Sequence, residues 1–196
     1  MMSLVVYADF NCPYSWLASA RADRLLQFGL PHVEWRAVEH DPAIPEPSQP
    51  VEGELRAMLD RELEEVCGLL LPHETLLIRR PPVLPNTACA VAAFASAPAE
   101  ERPALRRRLF AALWTHGRDL GDRRVLRDLG ARPPDRSRTL TSAWRAAWRE
   151  VGRPVVPVLV DPDGDVAQGL DALVWLARLG HPTAAPPQHW PYADVD

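Results

Sequence analysis

Lysine is absent: arginine supplies all 22 basic side chains, which we read as a codon bias of the source genome rather than a mark of mechanism. No excess of positive charge compensates for it. The formal net charge is -4 and basic residues are interleaved with acidic ones, which excludes a broad phosphate-binding surface and leaves no nucleic-acid partner to expect. The densest basic run, Arg106-Arg107-Arg108, falls on a helical pattern and reads as a solvated face. Cysteine is scarce as well. Three widely spaced cysteines, Cys12, Cys67 and Cys89, exclude a disulfide framework, suit a reducing compartment and leave at least one thiol unpaired in a monomer. No apolar run approaches the ~20 residues needed to cross a bilayer. Residues 1–7 lack the basic start and apolar stretch of a signal peptide. The expectation is a soluble, cytoplasmic protein without a membrane partner. His40, His73 and His116 have no ligand spacing with the cysteines or with one another, so no metal site is expected.

What is present is an ordinary globular composition, 47% hydrophobic and 24% charged, in 196 residues. That length suits one domain, or one domain carrying a large insertion. Leu4-Val5-Val6-Tyr7 is a short strand signal, and the pattern then switches at Asp9 to Asn11 into a helix. Pro13 falls at an early helical position, where its missing N–H costs nothing. Trp16, Leu17, Ala20, Leu25 and Leu26 continue at helical spacing until Gly29, a left-handed helix stop, and Trp16 reads as core. Val33 to Val38 alternates as a half-buried strand does. A proline-rich, irregular connection covers Asp41 to Pro50.

About 100 residues of helical periodicity follow. Glu54 to Leu70, Asn86 to Ser96, Ala99 to Arg118, Arg123 to Leu129 and Thr139 to Val151 are punctuated by prolines. Strand signals return at Val155 to Val160, and Asp161-Pro162-Asp163-Gly164 turns into a hairpin partner at Val166 to Gln168. A last helix, capped by Asp171, runs to Leu179 before Gly180 and Pro182. The tail from Pro186 is irregular, and its Trp190 and Tyr192 are free to tuck onto the body.

Cys12 stands out chemically. A cysteine at a helix N-terminus faces unsatisfied N–H groups and the positive end of the dipole, which favour thiolate over thiol, and such thiols titrate at ~3.5–7.5. The expectation is a Cys12 largely ionised near neutral pH. The alternative is a small buried residue at a strand-to-helix junction. Cys67 and Cys89 lie in apolar helical surroundings and read as inert core cysteines.

The segment Asp9-Phe10-Asn11-Cys12-Pro13-Tyr14-Ser15-Trp16-Leu17 resembles the active-site segment of the DsbA-like branch of the thioredoxin superfamily. That branch includes DsbA-type disulfide oxidoreductases, kappa-class glutathione transferases and 2-hydroxychromene-2-carboxylate isomerases. Leu84-Pro85-Asn86-Thr87 and the stretch from Leu113 to Gly121 are similar to the family's helical insertion. Val156-Pro157 is similar to its cis-proline loop, and Gly169-Leu170-Asp171-Ala172-Leu173 to the start of its last helix. The resemblance implies an α/β class, a thioredoxin fold with a helical domain inserted between the second and third core strands. In residues, 1–45 and 152–185 would form the core, 46–151 the insertion and 186–196 the tail.

The same resemblance implies site residues. Cys12 and Ser15 would be catalytic, with Asn11, Pro13, Tyr14, Asn86, Val156, Pro157 and Asp171 binding a thiol or substrate. A cis peptide before Pro157 would free the Val156 N–H and C=O for an extended thiol substrate. An edge-strand proline is the plain alternative. Asp171 would hold a γ-glutamyl amine, and capping alone would explain it equally. Asn86 also reads as an ordinary helix start and Asn11 as an ordinary loop residue.

Ser15 replaces the second cysteine of the usual Cys-X-X-Cys, so no disulfide can form within the motif. A resolving thiol would then come from Cys67, from Cys89 or from outside. The expected activity is a monothiol thiol-disulfide oxidoreductase, with no tightly bound cofactor and with glutathione or another small thiol as co-substrate, acting as monomer or homodimer. The alternatives are a glutathione-dependent isomerase or transferase, and a binding module without turnover.

Overall fold

The computed structural model describes residues 4–27, 33–131, 138–152 and 155–180. Leu4-Val5-Val6-Tyr7-Ala8 carries almost no polar atoms, and it forms a central strand, β1 (Leu4–Ala8), buried along nearly its whole length. It leads through a tight loop into α1 (Pro13–Gln27). β2 (Val33–Ala37) follows the alternation of its sequence: Val33, Trp35 and Ala37 are buried, while Glu34 and Arg36 face outward and pair at 2.8 Å.

The chain then leaves the sheet. It forms β3 (Gln49–Pro50), α2 (Gly53–Gly68), β4 (Val83–Leu84), α3 (Ala88–Ser96), α4 (Arg102–Trp114), α5 (Arg123–Asp128) and α6 (Arg138–Glu150). It returns as β5 (Val158–Val160), β6 (Val166–Gln168) and α7 (Leu170–Gly180).

The main sheet runs β2-β1-β5-β6, with β2 parallel to β1 and both β5 and β6 antiparallel to their neighbours. α1 and α7 pack side by side, and α3 and α6 approach β2. This is a thioredoxin fold whose second and third core strands, β2 and β5, are separated in sequence by a helical insertion. The Asp161 turn works as its residues dictate: the Asp161 carboxylate accepts the N–H groups of Asp163 and Asp165, both at 2.9 Å, and closes the β5–β6 hairpin.

An aromatic seam binds the insertion to the core. Phe10 and Trp16 come from the motif segment and Trp35 from β2; Phe94, Phe110 and Trp144 come from the insertion helices. Phe10 meets Phe110 at 5.0 Å and Phe94 at 5.7 Å between ring centroids, and Trp16 stacks on Phe110 at 5.4 Å. Trp114, fully buried, donates its indole N–H to the Phe10 carbonyl at 2.8 Å. The loop that carries the motif is thus held from behind by the insertion.

Several expectations are corrected. The connection at 41–50 ends in β3, which pairs with β4 as a two-residue ribbon too short to leave a period in the sequence. Strand β5 starts at Val158 rather than Val155, directly after Pro157, which has no N–H to give to a strand ladder; the Val156–Pro157 peptide is cis. The Glu46–Pro47 peptide is cis as well. Asp171 is not a cap: α7 begins one residue earlier, and Asp171 sits exposed in its first turn. Cys67 is exposed on the outer face of α2 rather than buried in a core, whereas Cys89 is half-buried against it.

Arg106 departs furthest from the solvated face expected of its run. It is 2% exposed, pairs with Asp23 and lies 4.8 Å over the Trp35 ring, while Arg107 and Arg108 remain outside. Gly29, Trp190 and Tyr192 lie outside the described residues.

Candidate active site

Cys12 immediately precedes α1, and its carbonyl accepts the Trp16 N–H at 3.3 Å, so the thiol occupies the cap position of the helix. Its own N–H returns to the Asp9 carbonyl at 3.3 Å, which tightens the loop. The cis-proline loop lies opposite. The Cys12 thiol donates to the Val156 carbonyl, with Sγ 3.6 Å from the oxygen and 144 residues apart in sequence. The next carbonyl, that of Pro157, accepts the Gly169 N–H at 2.8 Å, which ties the loop to the start of α7. Gly169 has φ 57, a left-handed turn that favours a residue without Cβ. Asp171 follows two residues later, exposed in the first turn of α7.

Ser15 follows one turn into α1 and is fully buried. Its hydroxyl and backbone N–H act on the Cys12 sulfur and favour the thiolate, yet the hydroxyl forms no aligned hydrogen bond of its own. Burial overrides both. At 7% exposure the thiol is desolvated, and its pKa is pushed up to about 12, with the charges of Glu62 and Asp9 adding to the effect. The low pKa expected from the helix terminus is thereby corrected: desolvation, which a sequence pattern does not display, outweighs the N–H groups of the helix. The resting site holds a neutral thiol.

A measurable order of reactivity follows. Substoichiometric iodoacetamide at pH 7.5 should alkylate exposed Cys67 before Cys12, as read by peptide mass spectrometry. The Cys12 rate should still be climbing at pH 10. A plateau below pH 8 would contradict the buried, neutral thiol.

Around this thiol the structure assembles groups that sequence reading missed. Asp9, fully buried, accepts the Thr87 hydroxyl at 2.6 Å, the His40 N–H at 2.8 Å and the Asn11 N–H at 3.4 Å, and pairs with His40 Nδ1 at 2.9 Å. One carboxylate therefore joins the motif loop, the end of β2 and the start of α3. Burial works against protonation of His40, but the hydrogen bond and charge of Asp9 outweigh it and raise its pKa. The only available sign was an aspartate three residues before the cysteine, which reads as loop chemistry in one dimension.

Tyr14, half-buried, donates its hydroxyl to Glu65 of α2. Burial first, and then that bond and the charges of Glu65 and Glu62, hold it as a neutral phenol. Pro13 forms the first residue of α1. Asn11 is 5% exposed, donates to the Pro85 carbonyl at 3.4 Å and keeps its Oδ1 without a donor. Asn86 is committed at both ends of its amide, donating to the Ile44 carbonyl at 2.8 Å and accepting the Ala88 N–H at 3.0 Å. It braces the start of α3 one residue from both Pro85 and Thr87. Of the residues singled out from sequence, Cys12, Ser15, Asn11, Pro13, Tyr14, Val156 and Pro157 thus converge, while Asn86 stands behind the loop and Asp171 outside it.

The DSBA-like thioredoxin domain family matches residues 3–133 of this chain. The chain belongs to that family. Among curated proteins none matches it. Solved structures do, at identities that speak for the shared DsbA-like fold alone. The "probable DsbA oxidoreductase" of Streptomyces coelicolor superposes with a TM-score of 0.67 at 17% identity, covering 97% of this chain and 94% of that one. The cytosolic disulfide reductase DsbM of Pseudomonas aeruginosa, solved with GSH, gives 0.64 at 19%, covering 92% and 93%. A 2-hydroxychromene-2-carboxylate isomerase gives 0.61 at 20%, covering 94% of this chain and 100% of that one. No helix among the described residues of the DsbA-like chain is long and apolar enough to cross a membrane.

Proposed function

We propose that this DsbA-family chain is a cytoplasmic thiol-disulfide oxidoreductase that works through the single thiol of Cys12. Glutathione or another small thiol would stand in for the missing second motif cysteine. The observation that supports this most directly is the contact between the Cys12 thiol and the Val156 carbonyl, 3.6 Å, which sets the thiol against the backbone of the Val156-Pro157 loop. The thiolate of Cys12 attacks a disulfide RSSR, giving a Cys12–S–S–R mixed disulfide and releasing RS⁻, which takes up the proton that Cys12 lost. A small thiol R′SH then attacks the outer sulfur of the mixed disulfide as its thiolate, regenerating Cys12, which takes up the proton, and leaving joined to R as RSSR′. Ser15 fits this cycle, since it acts on the sulfur without competing for it.

The test is direct. Incubation with cystamine, bis(2-hydroxyethyl) disulfide and oxidised glutathione in turn should give an adduct on Cys12 with at least one of them, released by excess thiol. Absence of a Cys12 adduct from all three removes the proposal.

A second reading is favoured by the neutral state of the resting thiol. A protonated Cys12 can donate to the thiolate of a bound glutathione, which would then be the nucleophile of an isomerase or transferase. The likeness to a 2-hydroxychromene-2-carboxylate isomerase supports that reading too.

A further inference from the structure

The inward stripe of α2 contains a charge. Leu59 and Val66 are buried, and Glu62, three residues after one and four before the other, falls on the same face and is half-buried. Glu65, one turn on, bonds the Tyr14 hydroxyl of the motif. The insertion therefore lays two carboxylates across the segment that carries Cys12. Glu62 makes no hydrogen bond or ion pair among the described residues, and its charge acts on Cys12, Tyr14 and His40 alike.

Nearby cations do not neutralise this pair. His40, at the end of β2, is paired with Asp9; when protonated it also opposes the effect of burial and of Glu65 on Glu62, without outweighing them. Arg145 of α6 is spent on Glu39, Arg80 on Asp60 and Arg21 of α1 on Glu74. Arg61 is exposed and only weakens the effect of burial and of Glu65 on Glu62. A second, independent feature points the same way. Beside the thiol, the Asn11 amide has its nitrogen committed to Pro85 and leaves Oδ1 as a buried acceptor with no donor. The Ser15 hydroxyl, which can donate or accept, is the other buried group beside Cys12 without an aligned partner.

We propose that the disulfide taken by Cys12 carries a cationic group, an ammonium or guanidinium, that seats on Glu62 with Glu65 beside it. This rests on the reading of Cys12 as the attacking thiol and adds the charge of its substrate. The cation does two things. It supplies the counter-charge that Glu62 lacks, and it removes the part of the opposition to Cys12 ionisation that comes from Glu62, burial remaining the larger part. Anionic disulfides, including net-anionic oxidised glutathione, would meet repulsion at the same position.

The experiment compares second-order rate constants for mixed-disulfide formation on Cys12 at low salt. Dicationic cystamine should react fastest, neutral bis(2-hydroxyethyl) disulfide next and oxidised glutathione slowest, with roughly tenfold or more between the extremes, shrinking as salt is raised. Glu62→Gln should slow cystamine and speed oxidised glutathione, closing most of the gap, and Glu62→Asp should keep it. That opposite movement separates a charge effect from a damaged fold, which would slow both. Oxidised glutathione reacting as fast as cystamine, or a gap untouched by Glu62→Gln, overturns the inference while leaving Cys12 as the attacking thiol. No adduct from any of the three overturns both.

Discussion

Cys12→Ser is expected to lower kcat/KM for reduction of a small disulfide by at least about a thousandfold, roughly 4 kcal/mol of lost transition-state stabilisation. Serine is nearly isosteric, and its hydroxyl can still donate to the Val156 carbonyl, so the loop, the cap of α1 and the thermal midpoint should be preserved. What is lost is the sulfur that becomes half of the mixed disulfide, and neither Ser15 nor the serine introduced at 12 can replace it. Neither remaining cysteine should rescue the variant. Cys67 points outward from α2, and Cys89 is half-buried on α3. The same variant decides between the two readings of the site. If Cys12 only donates to the thiolate of a bound glutathione, serine donates as well, and an isomerase or transferase activity would survive within about tenfold. Full disulfide-reducing activity in the serine variant would remove Cys12 from the chemistry altogether.

How much of this site could be read in one dimension depends on what each residue had to reveal. Cys12, Pro13 and Ser15 announced themselves because a helix start has a local signature, and the hairpin at Asp161 did so because one carboxylate organises its own turn. The order of strands was legible for the same reason, since period and punctuation are local. Val156-Pro157 needed the family resemblance, because nothing in the residues around a proline fixes its isomer. Desolvation was out of reach. The Cys12 thiol is raised by burial under groups up to 144 residues away, and only the fold says which groups those are.

Asp9, His40 and Glu62 were missed on similar grounds. Each looks solvent-facing in sequence, and each acquires its role from partners on different elements. Arg106 shows the cost of reading a run as a unit. Helical geometry sends three consecutive arginines in three directions, and here one of them enters the core between Asp23 and the Trp35 ring.

Arg21 is the other arginine that composition hides, and it carries the largest expected effect on stability. Its side chain is buried on α1 and donates to both Glu74 oxygens at 2.8 Å, to the Leu69 carbonyl at 2.7 Å and to the Leu173 carbonyl at 2.8 Å. It thereby ties α1 to the end of α2 and to α7. Glu74 in turn accepts the Leu71 N–H at 2.9 Å. Burial alone would push the Glu74 carboxyl up, but the Arg21 hydrogen bonds, the Leu71 N–H and the Arg21 charge outweigh it and hold the pKa below the usual carboxylate range. Arg21→Met leaves that carboxylate buried without its cation, at a cost of about 3–5 kcal/mol, or a thermal midpoint lower by roughly 10 °C.

The sign with pH is fixed by the direction of the shift. In the native chain the folded pKa lies below the unfolded value of ~4.3, so the contribution is complete above that value and is lost as pH falls through the folded one. In Arg21→Met the Arg21 hydrogen bonds and charge are gone, burial faces only the Leu71 N–H and the His73 charge, the folded pKa rises, and protonation relieves the penalty. The gap in midpoint between the two proteins should therefore be widest near pH 7 and narrow steadily toward pH 4. Replacing both partners, Arg21→Met with Glu74→Leu, should recover most of the loss at every pH. A single-variant midpoint within 2 °C of the native chain, or a gap that does not change with pH, would show that the pair does not hold these three helices together.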